Sequence, residues 1–515
     1  MTSLSYEPLT PTAHLDRAAD AHGDRVAVSD GADRWTYTEL HERCGRLAGA
    51  LREMAGSKPV AVLATNSHVM LEAHFAVPWA GVPLIALNIR LAVPELVYIL
   101  GHGEASLLLY EPEFDETAAA LAAELPGLRL LRADESYEEL AASTAPVRHR
   151  PADERDLLAI NYTSGTTGRP KGVMYHHRGA YLQALSQVAH SGLNVASVFL
   201  WTLPMFHCNG WGYPWAVTAV GGRHVCLRRV DPAEIWRLID AEGVTHLNGA
   251  PTVLTMMAYA EQAAPLPSRR RLRVATGGAP PTPALLERMA ALGVDIIHLY
   301  GLTETFGPSI VCEWRPEWNE LSPAEQARIK ARQGVRTLTI DGLRVLDADG
   351  RETPRDGATP GEVAVRGNTV MLGYLKDEAA TEAVAGDGWF RTGDLAVRHS
   401  DGYVELRDRR KDVIISGGEN IASVEVEQAI AAHPDVVEVA VVGVPDERWG
   451  EVPAAYVTLR PGARTTEQDI VAHVRTRLAR FKAPRYVVFA DLPKTATGKV
   501  QKYVLRSRAP QDTAN

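Results

Sequence analysis

The sequence predicts an α/β protein: a large multi-layer amino-terminal region with a β-rich subdomain, then a small α+β carboxyl-terminal unit. Three observations predict it. First, short apolar runs with strand character alternate with Ala/Leu/Glu-rich segments of helical spacing, the pattern of α/β layers with largely parallel sheets. Second, the texture changes in the third quarter of the chain, where brief strand-like runs are punctuated by Asp349-Gly350 and Asp401-Gly402, both hairpin-turn dipeptides. Third, a charged segment, Asp408 to Asp412, precedes a further stretch of about 100 residues with its own helix and strand signals. With 515 residues and 46% hydrophobic content, the chain exceeds one ordinary core and can fill two or more.

Taken in order, Val60 to Ala64 and Ser106 to Tyr110 read as strands, and Phe75 to Leu87 as buried core. That last run contains Pro78 and Pro83 and is shorter than the roughly 20 residues a membrane span needs. Leu157 to Ile160, Leu272 to Ala275 and Ile296 to Leu299 are further strands, and Pro283 to Leu292 is a helix. Leu343 to Leu346 and Glu362 to Arg366 belong to the β-rich subdomain. Ala422, Val426, Ala429 and Ile430 share one helical face, and Val436 to Val444 is a buried strand. The expected division is therefore residues 1–407, a hinge at 408–411, and residues 412–515.

Composition excludes several classes. A formal charge of -9 disfavours nucleic acid, whose phosphates need a basic surface. The run Arg269, Arg270, Arg271, Arg273 is the exception, read as a solvated loop or as a contact for an anionic cofactor. Cys44, Cys208, Cys226 and Cys312 are too dispersed for a zinc site and too few for a disulfide framework. The first 21 residues show no basic segment followed by an apolar block, so the expected location is the cytoplasm, with no membrane span. A homodimer is left open.

The most informative stretch is YTSGTTGRPKG, Tyr162 to Gly172. Thr163, Ser164, Gly165, Thr166, Thr167 and Gly168 cannot pack apolar surface. They can let a backbone approach a polyphosphate and donate hydroxyl and amide hydrogens to it, while Lys171 adds a point charge. Arg169-Pro170 stands between Gly168 and Lys171, so this is not a Walker loop.

Here the chain resembles the adenylate-forming superfamily of acyl-CoA synthetases, peptide-synthetase adenylation domains and beetle luciferases. The resemblance continues in order through PMFHCNGW (204–211), GGAPP (277–281), YGLTET (300–305), TGD (392–394), DRRKDVIISGGENI (408–421) and PKTATGK (493–499). It implies a nucleotide site in which Gly278, Ala279, Pro280, Gly301 and Tyr300 surround AMP, with Tyr300 stacking on adenine. Thr303 would bond the α-phosphate, and Glu304 with Thr167 would hold Mg2+, a hard cation suited to oxygen ligands. Asp394 would accept from the ribose hydroxyls, with Arg409 approaching the same sugar. Lys499 would stabilise charge developing between carboxylate, α-phosphorus and departing pyrophosphate.

The resemblance also implies an acyl pocket of His207, Trp211, Gly277 and Gly301, with Asn209 and Gly210 shaping the same wall. His207 is a positioning residue there, since an acid ionised at neutral pH needs no general base. Two half-reactions in one site require the lysine to leave before a thiol enters. The family solves this by rotating the carboxyl-terminal unit about a hinge that maps to Asp408 to Lys411. Ser416, Gly417 and Gly418 would then line a coenzyme A channel; some relatives carry lysine where Ile415 stands, so no thiolation role transfers to that position.

The implied activity is an ATP-dependent ligase that adenylates a short-chain, medium-chain or aryl acid and passes it to coenzyme A. An adenylate-former with another acceptor (a carrier protein, an amine or an unusual small oxyacid) is the alternative. A nucleotide-binding regulator without turnover is disfavoured by the presence of Lys499, Glu304 and Asp394.

Overall fold

The computed structural model describes residues 5–163, 170–267, 271–409, 412–416, 419–446, 448–495 and 500–508. Two large sheets dominate the first part of the chain. In one, nine strands run in the order 335–336, 307–311, 294–302, 272–276, 246–249, 198–200, 223–225, 26–30 and 33–36. The six strands from 294–302 across to 26–30 are parallel, and antiparallel strands close both edges. The second sheet has seven strands, ordered 373–374, 171–176, 157–163, 84–86, 60–63, 107–110 and 129–132.

One continuous core joins the inner faces of these sheets. Val28, Phe199 and Leu299 from the first meet Val62, Leu84 and Val173 from the second, with helices between them. This placement accounts for the helix His68–Ala80, in which every residue from Val69 to Ala80 is buried. Its sequence lacks a polar face because both sides meet apolar sheet. Phe75, Trp79, Trp201 and Trp215 fill this layer.

The predicted strands and helices recur with modest shifts. The expected strand Ile296 to Leu299 is the centre of Val294–Leu302, and Leu157 to Ile160 extends as Leu157–Thr163 up to the hydroxyl-rich loop. Pro283–Ala291 is the expected helix, its N-cap hydroxyl on Thr282 accepting from the Leu285 amide. The β-rich part is a four-stranded antiparallel sheet, 340–346, 361–367, 390–398 and 404–409. Gly350 and Gly402 take φ of +77° and +90°, the positive φ their turns need.

A separate five-stranded sheet contains only later residues, 414–416, 419–421, 450–459, 436–446 and 486–489. Ala422 does not join the helical face expected of it; it is the N-cap of Ser423–Ala431, whose Val426, Ala429 and Ile430 are buried. Arg273 also departs from the solvated-loop reading. It lies on the strand Leu272–Thr276 and donates to the Ser191 carbonyl at 3.1 Å. All four cysteines are free and buried.

Candidate active site

The hydroxyl-rich loop is framed by a hairpin. Leu157–Thr163 and Lys171–His176 pair antiparallel, with Thr163 opposite Lys171, so the loop leaves and re-enters the sheet at one point. The residues 164–168, Arg269, Arg270, Lys411, Gly417, Gly418 and Lys499 lie outside the described residues, as does the side chain of Arg409.

A second group forms where the parallel strands of the nine-stranded sheet end. Thr276 is the last residue of one strand and pairs with His298 on the next, so GGAPP leaves the sheet beside Tyr300 to Leu302, the end of the neighbouring strand, from which Thr303 and Glu304 then depart. Carboxyl strand ends are where open α/β sheets collect ligands. Gly301 is obligatory here, because a Cβ would stand 1.8 Å from the Gly307 carbonyl oxygen. Thr303 and Glu304 then sit on a short 3-10 turn, Thr303–Thr305.

The side chains converge. Tyr300 Oη donates to Asp394 Oδ2 at 2.7 Å, tying the YGLTE strand to TGD on the four-stranded sheet. Asp394 is in register with the Arg409 backbone across the adjacent strand.

Glu304 has a partner that sequence reasoning missed. Tyr374 Oη donates to its Oε1 at 2.8 Å, and the Met371 amide donates to the Glu304 carbonyl at 2.9 Å. The Tyr374 ring also lies 4.7 Å from Lys171 Nζ, a cation–π contact. Lys171 approaches Asp377 at 3.9 Å as well. Burial and the neighbouring Glu304 charge both push the Tyr374 hydroxyl pKa up, so it remains a donor. One aromatic residue thus touches both the loop lysine and the candidate metal ligand. In the sequence Tyr374 stands only between an apolar run, Val370 to Leu372, and the charged Lys376 to Glu378, a context that carries no chemistry by itself.

These residues fit a nucleotide-bound magnesium better than a protein-held one. Among the described residues no group of three or more His, Cys, Asp or Glu could hold a metal ion. A single carboxylate such as Glu304 suits an ion whose other ligands are phosphate oxygens and water.

The HCNGW segment takes an unusual conformation. Cys208, Asn209, Gly210 and Trp211 have φ of 46°, 40°, 52° and 56°, and Gly212 continues the left-handed run at 84°. Left-handed backbone costs roughly 1–2 kcal/mol for each residue with a Cβ. Such strain persists only where surroundings over-determine it.

The turn puts its side chains against the other motifs. Cys208 Sγ is 3.3 Å from Thr303 Oγ1 and 3.6 Å from His207 Nε2, and burial pushes the thiol pKa up to about 12, so it stays protonated. Tyr175 Oη donates to the Thr303 carbonyl at 2.6 Å. Trp211 packs at two glycines: a Cβ on Gly277 would meet its Cη2 at 3.2 Å, and one on Gly307 its Cδ1 at 3.0 Å. The structure therefore brings His207, Trp211, Gly277, Thr303 and Glu304 to one region, with Asp394 and Tyr300 beside it. Ser416 stands apart on the carboxyl-terminal sheet, pairing with Glu419 and Gly450. Asp408, at the start of the charged segment, is buried, and its carboxylate accepts from the Ser423 amide at 2.5 Å and the Ser423 hydroxyl at 3.1 Å.

Comparison with known proteins identifies the family. Residues 15–375 match the AMP-binding enzyme family and residues 425–499 the AMP-binding enzyme C-terminal domain. The chain is 44% identical to an acetate–CoA ligase, CCL3, of Humulus lupulus, over 99% of this chain and 96% of the relative. It is also 44% identical to an acetate/butyrate–CoA ligase, the peroxisomal AAE7 of Arabidopsis thaliana, over 98% and 95%. Among solved structures, ATP-bound MatB of Rhodopseudomonas palustris superposes with a TM-score of 0.86 at 30% identity, covering 97% of this chain and 99% of that one. On the ordered motifs, the two-sheet fold and these matches, the chain belongs to the AMP-binding enzyme family, the adenylate-forming superfamily that includes the acyl-CoA synthetases.

Proposed function

We propose that the protein is an ATP-dependent acid–thiol ligase that activates a small carboxylic acid as its adenylate and transfers the acyl group to coenzyme A. The observation that carries this reading is the convergence at one strand end of Tyr300 with Asp394, Thr303 and Glu304, beside an apolar wall made by Trp211 and Gly277. A nucleotide and a small acid need that juxtaposition.

In the first half-reaction a carboxylate oxygen attacks the α-phosphorus and the bond to pyrophosphate breaks. Asp394 accepts from the ribose, Tyr300 flanks adenine, and Gly278, Ala279 and Pro280 line the nucleotide. Thr303 bonds the α-phosphate, and the loop 163–168 with Lys171 holds the β- and γ-phosphates. Magnesium, when bound with ATP at Glu304 and Thr167, supplies charge neutralisation on the phosphate oxygens. Lys499 stabilises the charge shared between attacking and leaving oxygens. His207 and Trp211 orient the acid, which arrives ionised and needs no base.

In the second half-reaction the thiol sulfur attacks the acyl carbon and AMP leaves. For this the unit 412–515 turns about 408–411, withdrawing Lys499 and presenting Ser416, Gly417 and Gly418 to the pantetheine arm. The reading is supported by the confinement of the last sheet to residues from 414 onward, which leaves the strand Val404–Arg409 as the boundary. A cytoplasmic location belongs to the same proposal; among the described residues no helix is long and apolar enough to cross a membrane.

The bulk of the Trp211 ring against Gly277 and Gly307 favours short acids such as acetate and butyrate, the acids named for the two plant relatives. The test is a screen of carboxylic acids for pyrophosphate release, with and without coenzyme A. Acid-dependent pyrophosphate release with AMP release that requires coenzyme A is the expected result. AMP release that ignores coenzyme A but responds to an amine or a carrier protein would replace the acceptor; no acid-dependent release would overturn the reading.

A further inference from the structure

The left-handed turn 208–211 is held by a buried polar chain that joins Asn161 and His74 to Asn209, the residue expected in the acyl-pocket wall. Asn209 is fully buried, and both ends of its amide are engaged. Its Oδ1 accepts from Asn161 Nδ2 at 2.5 Å, its backbone amide donates to Asn161 Oδ1 at 3.1 Å, and its Nδ2 lies 3.1 Å from His74 Nε2. His74 Nδ1 is 2.7 Å from the Met70 carbonyl. A carbonyl only accepts, so Nδ1 carries the proton and Nε2 is the bare acceptor that Asn209 requires. Burial, set against the bond to Met70, lowers the His74 pKa to about 4, which keeps the ring neutral near pH 7. Trp215 Nε1 donates to the His74 carbonyl at 3.2 Å, fixing the helix at that point.

The ends of this chain lie on different functional segments. Asn161 is on the strand that runs into the hydroxyl-rich loop, and His74 is on the helix sandwiched between the two sheets. Asn209 stands between Cys208, which abuts Thr303, and Trp211, which abuts Gly277. A reciprocal asparagine pair and a fixed imidazole tautomer leave few alternative geometries, and a half-satisfied buried network is costly. The bonds therefore offset the strain of a backbone that would otherwise relax to right-handed φ.

We propose that Asn161, Asn209 and His74 are positioning residues that set the handedness of the 208–211 turn and thereby aim His207 and Trp211 at the acid. This rests on the acid–ligase reading and deepens it: the network governs recognition of the acid and not of ATP. Asn209→Gly is the informative variant, because glycine accepts φ of +40° without strain while all the side-chain bonds are lost.

The assay is acid-dependent pyrophosphate release by the full chain, with KM for acid and for ATP measured separately and folding checked by thermal melting. Asn209→Gly is expected to melt cooperatively, to raise KM for the acid at least tenfold and to leave KM for ATP within twofold. A merely structural role would lower the melting temperature without splitting the two constants. Should Asn209→Gly not fold, His74→Leu and His74→Gln decide. Leucine removes the acceptor for Asn209 Nδ2 and should raise acid KM, whereas glutamine restores an acceptor and should recover most of it. Acid KM within twofold of the parent in folded Asn209→Gly or His74→Leu, or an equal rise in both constants, overturns the proposal. A parent enzyme that releases pyrophosphate with no acid would instead bring down the ligase reading itself.

Discussion

Replacing Tyr374 with phenylalanine isolates one hydrogen bond in the candidate nucleotide site. The ring remains, so the contact with Lys171 Nζ at 4.7 Å is retained, and only the Oη donor to Glu304 Oε1 at 2.8 Å is removed. A hydrogen bond to a charged partner contributes about 1.5–3 kcal/mol. Tyr374 is largely buried, 8% exposed, so water cannot readily replace the lost hydroxyl. At about 1.4 kcal/mol per decade, Tyr374→Phe should lower kcat/KM for ATP with magnesium about 10- to 150-fold. The loss should appear as a raised half-saturating magnesium concentration in pyrophosphate release. It should also appear without turnover, as a smaller rise in melting temperature on adding magnesium and ATP. Glu304→Gln combined with Tyr374→Phe should lose little more than Glu304→Gln alone, since the two act as one unit. A Tyr374→Phe enzyme within twofold of the parent at every magnesium concentration would refute this view of Glu304.

Three further outcomes are expected. Trp211→Ala should open the wall at Gly277 and Gly307 and shift preference toward longer acids, gaining about fourfold in kcat/KM per added methylene that finds apolar contact; an unchanged chain-length profile across C2 to C8 acids would refute it. Lys499→Ala should lose about 10²-fold or more in pyrophosphate release while keeping its melting temperature, and parent-like release would remove that lysine from the reaction. His68 concerns stability and pH. Burial opposes its charge, but Asp30 at 2.8 Å and Glu138 at 3.7 Å outweigh burial and raise its pKa to about 9. A group with a raised folded pKa stabilises fully below its unfolded value of about 6.5 and loses that contribution as pH rises through about 9. The stability gap between the parent and His68→Gln in urea unfolding should therefore shrink by about 3 kcal/mol between pH 6.5 and pH 9.5; a gap independent of pH would deny the ion pairs their role.

Local chemistry made much of this protein legible from its sequence. The strand centres Ile296 to Leu299 and Leu157 to Ile160 were readable because short apolar runs bounded by polar and glycine-rich segments have few alternatives, and the hydroxyl-rich loop stood out because six Ser, Thr and Gly residues cannot fill a core. The order of the motifs then identified the family without any contact information. What the sequence could not disclose depends on through-space partners. Tyr374 is about 70 residues from Glu304 and 200 from Lys171, and nothing local marks it as the link between them. His74 stands just before the run Phe75 to Leu87 and nothing local marks it, yet its tautomer and neutrality follow from Met70 and complete burial. The left-handed run that begins at Cys208 was likewise invisible, since Cys208, Asn209 and Trp211 carry side chains that disfavour positive φ and no turn signal there demands it. Periodicity and composition encode which residues avoid water; only the folded chain decides which polar groups left inside must find each other, because each unpaired one would cost more than the strain its partner imposes.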